Sequence, residues 1–586
     1  MTKKTHTASV ERFQLLGKLR IIFDLLDAID RRKLFLIFTL SLMNGVVNAA
    51  GIASILPFIG LISDPAILET NKYVLYFKEL TGIASYAGVV VSFGFISLGM
   101  LILSNSISAV ETWQGVWFSA DKTKDLSARL LGNYLNIDVL EFEKKQSAER
   151  AKEVLTDVSR VVIGTLFATL DLISDIIVSL CIVVLLLWID WKVTLVVAAI
   201  LVFVHFLINL VTTGQLDRLG KRYASLQASL YSHVLEALKL NKEIKMNSLD
   251  SYFVNRFSVT AGEMAKNTVR SSMISQLPQQ ALEVMAFAVI MSVALYFAVF
   301  AGDGGQPVTI IGMYAVAAYR LIPTVNSIFR KVKDIWYDTA ILENVAGSLQ
   351  LSEPEAECWD AARWPKETIA LDNIRFSYTP SGPLLLDGMN LEFGVGQFTC
   401  IKGQTGCGKS TVMHLVAGLF RPSGGRICAD GLEVNAYGSR EWKKRIGLVP
   451  ADVNIIQASL YENIALGLEP EKINRELVQE VCQLVELHDL FTGLPEKYET
   501  VYGDEGLRFS SGQVLKVGIA RALYRRPALL LLDESTDAFD LATESRILNR
   551  LKGINNLTII FISHRPSVMD HADRVIDLED LLGRGV

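Results

Sequence analysis

The sequence is poor in charge and in paired cysteines. Charged residues make up 20% of the 586, below the ~25% of ordinary soluble domains, and mean hydropathy is +0.33. This excludes disorder as the bulk state and argues against a plain soluble enzyme. The average is also too polar for a chain built only of membrane spans, so a membrane region fused to a soluble one fits best. A net charge of −5 offers no basis for binding nucleic acid. The six cysteines (Cys181, Cys358, Cys400, Cys407, Cys428 and Cys482) form no CxxC pair and no metal-ligand spacing. They read as reduced cytosolic thiols. No cleavable signal is expected, because Arg31, Arg32 and Lys33 precede the first long apolar run.

A bilayer core takes about 20 mainly apolar residues per helix. Six runs meet or approach that length: Leu34–Ser63, Ile83–Val110, Val161–Ile189, Lys192–Thr213, Leu277–Ala301 and Val308–Phe329. Pro57 and Pro323 fall inside the first and last, where neighbouring helices can satisfy the freed carbonyls. Phe13–Ile29 has apolar residues at helical spacing with charges between, the pattern of a helix lying on a membrane surface. Basic residues cluster before the first run and in the connections after the second and fourth, Thr112–Arg160 and Gly214–Gln276. The alternate loops are nearly free of them, so both termini are expected in the cytosol.

Beyond Ile341 the hydropathy falls, and Leu351–Lys366 reads as a linker into an α/β pattern. Gly403-Gln404-Thr405-Gly406-Cys407-Gly408-Lys409-Ser410 is a complete GxxxxGKS phosphate loop. It lies between a strand-like run, Gln397–Ile401, and a helical one beginning at Thr411. Glycines let backbone N–H groups approach phosphates, and a helix N-terminus favours negative charge. Lys409 would reach the β/γ-phosphates of ATP and Ser410 would ligate Mg²⁺. Ala528–Glu534 is an apolar strand ending in two acids: Asp533 to hold Mg²⁺, Glu534 to polarise the attacking water. Phe509-Ser510-Ser511-Gly512-Gln513 precedes a further helical run and suits either anion binding or an ordinary helix cap.

These pieces in this order resemble an ATP-binding cassette exporter half. The resemblance implies an all-α six-helix transmembrane domain (residues 1–345) fused to an α/β P-loop nucleotide-binding domain (residues 346–586). It implies that Tyr378 stacks on adenine and that Phe509–Gln513 is the family's signature segment. It further implies that Asp537–Asp540 is the D-loop, with Asp504-Glu505-Gly506 before the signature, and that His564 is the switch histidine near the γ-phosphate. Two copies would form a homodimer, with each ATP held by Lys409 of one and Ser510-Ser511-Gly512 of the other. Cytosolic coupling segments are expected near Asn133–Phe142 and Asn241–Asp250. Phe509 and Ser511 replace the family's Leu and Gly, and Val449-Pro450-Ala451 lacks the usual Gln of the Q-loop. These departures imply slow, Mg²⁺-dependent hydrolysis; Asp452 as a stand-in for the missing Gln is the less favoured alternative.

The membrane half most resembles the bacterial lipid-linked oligosaccharide flippase. Ala318-Tyr319-Arg320-Leu321-Ile322-Pro323, Leu56-Pro57-Phe58-Ile59 and the short amphipathic Tyr73–Leu80 carry the likeness. That implies a bacterial inner-membrane protein moving a lipid-linked glycan or similar amphipathic cargo among membrane lipids. Ser327 stands where the flippase has a base, and Arg330 and Lys331 lie one turn on as substitutes. Polar residues within spans are functional candidates; here they are Asp171, Asp175, His205, Glu283 and Arg320. Arg320 suits a phosphate-bearing cargo best, because a guanidinium fork matches phosphate oxygens. Interhelical pairing is the alternative for Asp175 and Glu283, and for His205 it is the favoured one. A peptide or small-molecule exporter and a weakly hydrolysing nucleotide sensor are the other two readings.

Overall fold

A computed structural model describes residues 28–63, 68, 72–83, 85–143, 145, 147–189, 191–300, 306–337, 339–350, 364–379, 382–437, 439–502, 509–534 and 539–581. The surface helix expected over Phe13–Ile29 lies outside the described residues except at its end, as do Asp504–Gly506 and Asp537. Internal packing divides the chain into two units: residues 1–132 with 147–350, and residues 133–146 with 351–586.

The first unit is helical. In chain order it contains α1 (Ala28–Ser63), α2 (Lys72–Thr81) and α3 (Tyr86–Asn136), and after the short α4 (Val139–Glu143) comes α5 (Ser147–Lys152). The chain then runs through a π turn (Glu153–Asp157), α6 (Val158–Val161), a second π turn (Val162–Phe167) and α7 (Ala168–Ile189). The unit ends with α8 (Trp191–Lys239), α9 (Asn241–Asn247), α10 (Asp250–Phe300), α11 (Gln306–Tyr337) and α12 (Thr339–Leu349). Among the described residues, three stretches are long and apolar enough to cross a membrane: Phe35–Ile62, Tyr86–Asn136 and Glu149–Trp188. The fourth to sixth apolar runs lie on α8, α10 and α11. The 51 residues of α3 reach about 75 Å at 1.5 Å per residue, far beyond a bilayer core. Helices α1, α7 and α11 pack on one another, and α8 packs on α10. Helix α2 sits where the short amphipathic segment was expected. Its Val74 and Phe77 close over Phe58, Leu61, Val89 and Phe93.

The second unit is α/β. An antiparallel sheet of order β2-β1-β4-β5 joins Leu386–Gly394, Thr368–Phe376, Gly424–Ala429 and Leu432–Val434. A parallel sheet of order β11-β3-β10-β9-β6 joins Arg574–Asp577, Phe398–Lys402, Thr558–Ile562, Leu529–Asp533 and Ile446–Val449. Ala458–Ser459 and Val501–Tyr502 form a small pair, β7 and β8. Strands β9 and β10 are buried along their whole length, as continuous apolar runs in a parallel sheet must be. Its helices include α13 (Lys409–Val416), α14 (Arg440–Lys444), α15 (Leu460–Ile464), α16 (Arg475–Leu484), α17 (Ser511–Tyr524) and α18 (Leu541–Lys552).

Helix α4 packs with this second unit, although it follows α3 directly. Val139 and Leu140 lie against the core that contains Trp442 and Phe420. Asp138 caps the helix by accepting from Leu140 N–H at 2.9 Å, and accepts from the Tyr437 hydroxyl at 2.8 Å. Burial first, then that hydrogen bond, push the Tyr437 phenol up to about 12.

Candidate functional site

Strand order builds the site. β3, β10 and β9 are neighbours and parallel, so the segments leaving their C-terminal ends lie side by side. Those segments are the glycine loop 403–410, the Ser563-His564-Arg565 turn and the Asp533-Glu534 pair. The carboxyl edge of such a sheet is where ligands bind. Backbone bonds continue the ladder past the strands: Ser563 N–H donates to Ile401 O at 3.3 Å, and Glu534 N–H to Ile562 O at 3.1 Å.

Gly408 caps α13 with φ +106, a left-handed conformation that glycine adopts without steric cost. At Gly403 a Cβ would come within 2.8 Å of Cys407 Sγ. The loop therefore closes tightly only because side chains are missing there. Lys409 is 5% exposed, and its Nζ donates to Gly403 O at 2.7 Å and Gln404 O at 3.0 Å. Its ammonium stands 3.9 Å from Glu534 Oε1, and His564 Nε2 stands 3.6 Å from the same oxygen. Ser410 Oγ donates to Asp533 Oδ1 at 3.1 Å. Burial holds the Asp533 carboxyl above its ordinary range, and burial likewise raises the Cys407 thiol. Gln404, Thr405 and Gly406 are exposed at the loop's tip.

Tyr378 follows β1 and reaches the same edge. Its hydroxyl bonds Thr411 Oγ1 at 2.8 Å, and its ring meets Phe376 and Phe420 edge-on while staying half exposed. Sequence reading does not single out Glu579, whose carboxylate accepts from Gln404 N–H at 2.8 Å; nothing local marks it. Two hard oxygens, from Ser410 and Asp533, converge. Among the described residues no group of three His, Cys, Asp or Glu forms a metal cluster. Such a donor set fits Mg²⁺, which keeps waters and phosphate oxygens as its remaining ligands.

The structure places the signature residues apart from this loop, at the start of α17, which packs on α15, α16 and β6. Ser510 Oγ accepts from Gln513 N–H at 3.3 Å, and Gln513 Oε1 accepts from Ser510 N–H at 2.9 Å, a reciprocal capping box. Ser511 is exposed and Gly512 half-buried. Phe509 has a structural role that a leucine would fill less well. It stacks on Tyr502 at 3.8 Å between ring centres and meets Phe491 edge-on. Ala451 and Asp452 are both exposed.

In the membrane unit Asp175 is paired. Lys331 Nζ donates to it at 2.5 Å, Ser327 hydrogen-bonds it, and Lys331 also pairs with Asp171. The lysine considered as a cargo contact is thus held by two carboxylates of α7. Arg320 reaches Asn105 Oδ1 at 3.4 Å through both terminal nitrogens, while Arg330 and Glu283 are exposed. The side chain of His205 lies outside the described residues.

Residues 34–320 match the ABC transporter transmembrane region and residues 386–537 match the ABC transporter family. The chain belongs to the ABC transporter family. An "ABC multidrug transporter mdr4" of Aspergillus fumigatus is 36% identical over 214 residues, 36% of this chain and 16% of that one. An "ATP-dependent lipid A-core flippase" of Chromobacterium violaceum is 26% identical over 484 residues, 82% of each chain. A solved structure, described as a bacterial Atm1-family ABC exporter with ATP bound, has the same fold, with a TM-score of 0.74 at 21% identity over 94% of both chains. This ABC transporter chain spans less than a quarter of the length of the fungal relatives it matches, 23% of one and 16% of another.

Proposed function

We propose that this chain is one half of a homodimeric exporter in a bacterial inner membrane, with both termini cytosolic. On this reading residues 1–345 form the membrane domain and residues 346–586 the nucleotide-binding domain. ATP hydrolysis drives an amphipathic cargo of the lipid-linked glycan type out of the cytoplasmic leaflet. The observation that carries the ATPase reading is the convergence of Lys409, Ser410, Asp533, Glu534 and His564 at one sheet edge.

In this reading Lys409 exchanges its two carbonyl acceptors for phosphate oxygens. Glu534 orients the attacking water, His564 holds the γ-phosphate side, and Tyr378 supports the base. Ser410 and Asp533 would hold Mg²⁺, which when bound neutralises phosphate charge. Ser510, Ser511, Gly512 and Gln513 would face the nucleotide of the second copy. The capping box takes up the N–H groups of Ser510 and Gln513 and fixes the helix start, so the N–H groups of Ser511 and Gly512 would be the ones to meet phosphate. The cargo class is supported by the flippase relative, which matches over 82% of both chains. Arg320 supports it too, since its guanidinium carries five donors. The multidrug relatives keep a small-molecule exporter as a second reading.

The test is purified full-length protein in proteoliposomes, with ATP and a fluorescent lipid-linked glycan. ATP-dependent loss of accessible glycan from one leaflet is expected. If no glycan moves while a small-molecule dye is transported, the cargo reading falls and the exporter reading stands. If ATP is not hydrolysed at all, the whole reading falls. Ala451→Gln should raise the hydrolysis rate; an unchanged rate would refute the role assigned to the missing glutamine.

A further inference from the structure

Beside the site lies an ion pair between a buried carboxylate and a partly exposed guanidinium that the chemistry above does not use. Glu544, on the first turn of α18, is fully buried. A buried carboxylate needs charged or hydrogen-bonding partners, and both of its partners come from one short segment. Arg565 Nη1 donates to Glu544 Oε1 at 3.0 Å, and Ser567 Oγ donates to Glu544 Oε2 at 2.5 Å. Arg565 Nη1 also donates to Phe539 O at 3.2 Å. Phe539 opens the described chain that leads from Glu534 into α18, and Asp540 caps that helix through Thr543 N–H at 2.9 Å.

Arg565 is the residue after His564. Its own N–H is held by Ser563 Oγ at 3.1 Å, and Ser563 N–H is held by Ile401 O. The backbone is therefore pinned on both sides of His564, while the imidazole remains half exposed beside Glu534. Helix α18 and the residues leading into it are also tied to other elements of the cassette. Arg546 forks onto Glu486 at 2.7 and 3.1 Å, and Lys516 of α17 lies 6.0 Å over the Phe539 ring.

We infer that Arg565 and Glu544 are positioning residues for hydrolysis: the pair formed by Arg565 and the buried Glu544 carboxylate fixes His564 relative to the segment entering α18. The inference rests on the ATPase reading and adds to it a pair of residues outside those assigned to nucleotide or metal. Rate is the quantity a positioning pair controls, because a misplaced switch residue costs transition-state stabilisation without loosening ground-state binding.

The experiment is ATPase kinetics and thermal unfolding of the full chain in lipid. Arg565→Met and Glu544→Gln are expected to lower kcat about 10- to 100-fold with KM for ATP within about twofold. Arg565→Lys, which keeps the charge but loses the fork, should recover part of the rate. The double variant Arg565→Met/Glu544→Met separates position from stability. Replacing both charges by apolar groups should restore the unfolding temperature but leave kcat low. If the double variant regains wild-type kcat along with its stability, or if Arg565→Met leaves kcat unchanged, the inference is overturned. A wild-type protein that does not hydrolyse ATP would instead overturn the underlying ATPase reading, and this one with it.

Discussion

In the cassette Leu529, Leu530, Leu531 and Leu532 are fully buried, while the polar residues of the site stand at the sheet's edge. In the membrane unit Phe35, Phe95, Ile102, Leu180 and Trp188 are exposed, while Ser41, Asn44, Asn48 and Glu111 are buried. Many large apolar residues face outward in the membrane unit, whereas in the cassette the apolar strands face inward. Water drives apolar groups inward; lipid exerts no such force and instead leaves polar groups to find one another between helices. Hydrogen bonds follow the same division. Glu111 on α3 accepts from Ser41 Oγ at 2.5 Å and Asn44 Nδ2 at 3.0 Å, both on α1. Similar residue types therefore act as chemistry at the rim of the cassette and as glue inside the membrane unit.

The largest effect should come from the cassette's rim. Lys409→Ala should cut ATP hydrolysis by about 100-fold or more, with little change in unfolding temperature. Activity above about a tenth of wild type would break the assignment of that edge as the catalytic one. Next is the interior of the membrane unit. Lys331→Met strands Asp171 and Asp175 without a cation and should cost about 3–5 kcal/mol. Asp171→Asn leaves one balanced pair, Lys331 with Asp175, and should cost much less. Thermal unfolding in detergent would compare them, and equal losses would mean that charge balance is not what matters there.

A smaller effect separates the cassette's surface from its site. Hydrogen bonding to Arg546, then the nearby charges of Arg546, Lys516 and Arg550, hold the Glu486 carboxyl below the usual glutamate range. A lowered pKa means that its stabilisation is complete above the unfolded-state value and is lost as pH falls through the folded one. Glu486→Gln should cost about 1–2 kcal/mol near neutrality, and the gap to wild type should close in acid. A gap independent of pH would rule out the carboxylate as its source. The smallest effect tests the glue: Ser41→Ala removes one donor to Glu111 and should cost about 1 kcal/mol. No shift in melting would mean that Glu111 finds another donor within the bundle.

Much of the site is legible in the sequence because its chemistry is local. The glycine loop, the strand ending in Asp533-Glu534 and the Ser563-His564-Arg565 turn are each contiguous, and each carries its own strand or helix signal. The signature segment was ambiguous for a physical reason. A serine and a glutamine three apart cap a helix whether or not an anion is near, and here they do cap it. Glu579 and Glu544 were not legible at all. Glu579 acts on a residue 175 positions away with no motif around it, and Glu544, although it follows the D-loop segment, acts on Arg565 through packing that no local pattern signals.

The sequence by itself determined that apolar helices precede an α/β cassette, where the phosphate loop lies and which acids follow a buried strand. These are properties of neighbouring residues, set by periodicity, backbone freedom and composition. Only the tertiary structure decided that Lys331 belongs to Asp171 and, across 156 residues, to Asp175, that Val139–Glu143 packs with the cassette, and that Arg565, next to His564, finds Glu544. A charge taken out of water must be matched by whichever partner packing brings within reach, and sequence distance does not enter that choice.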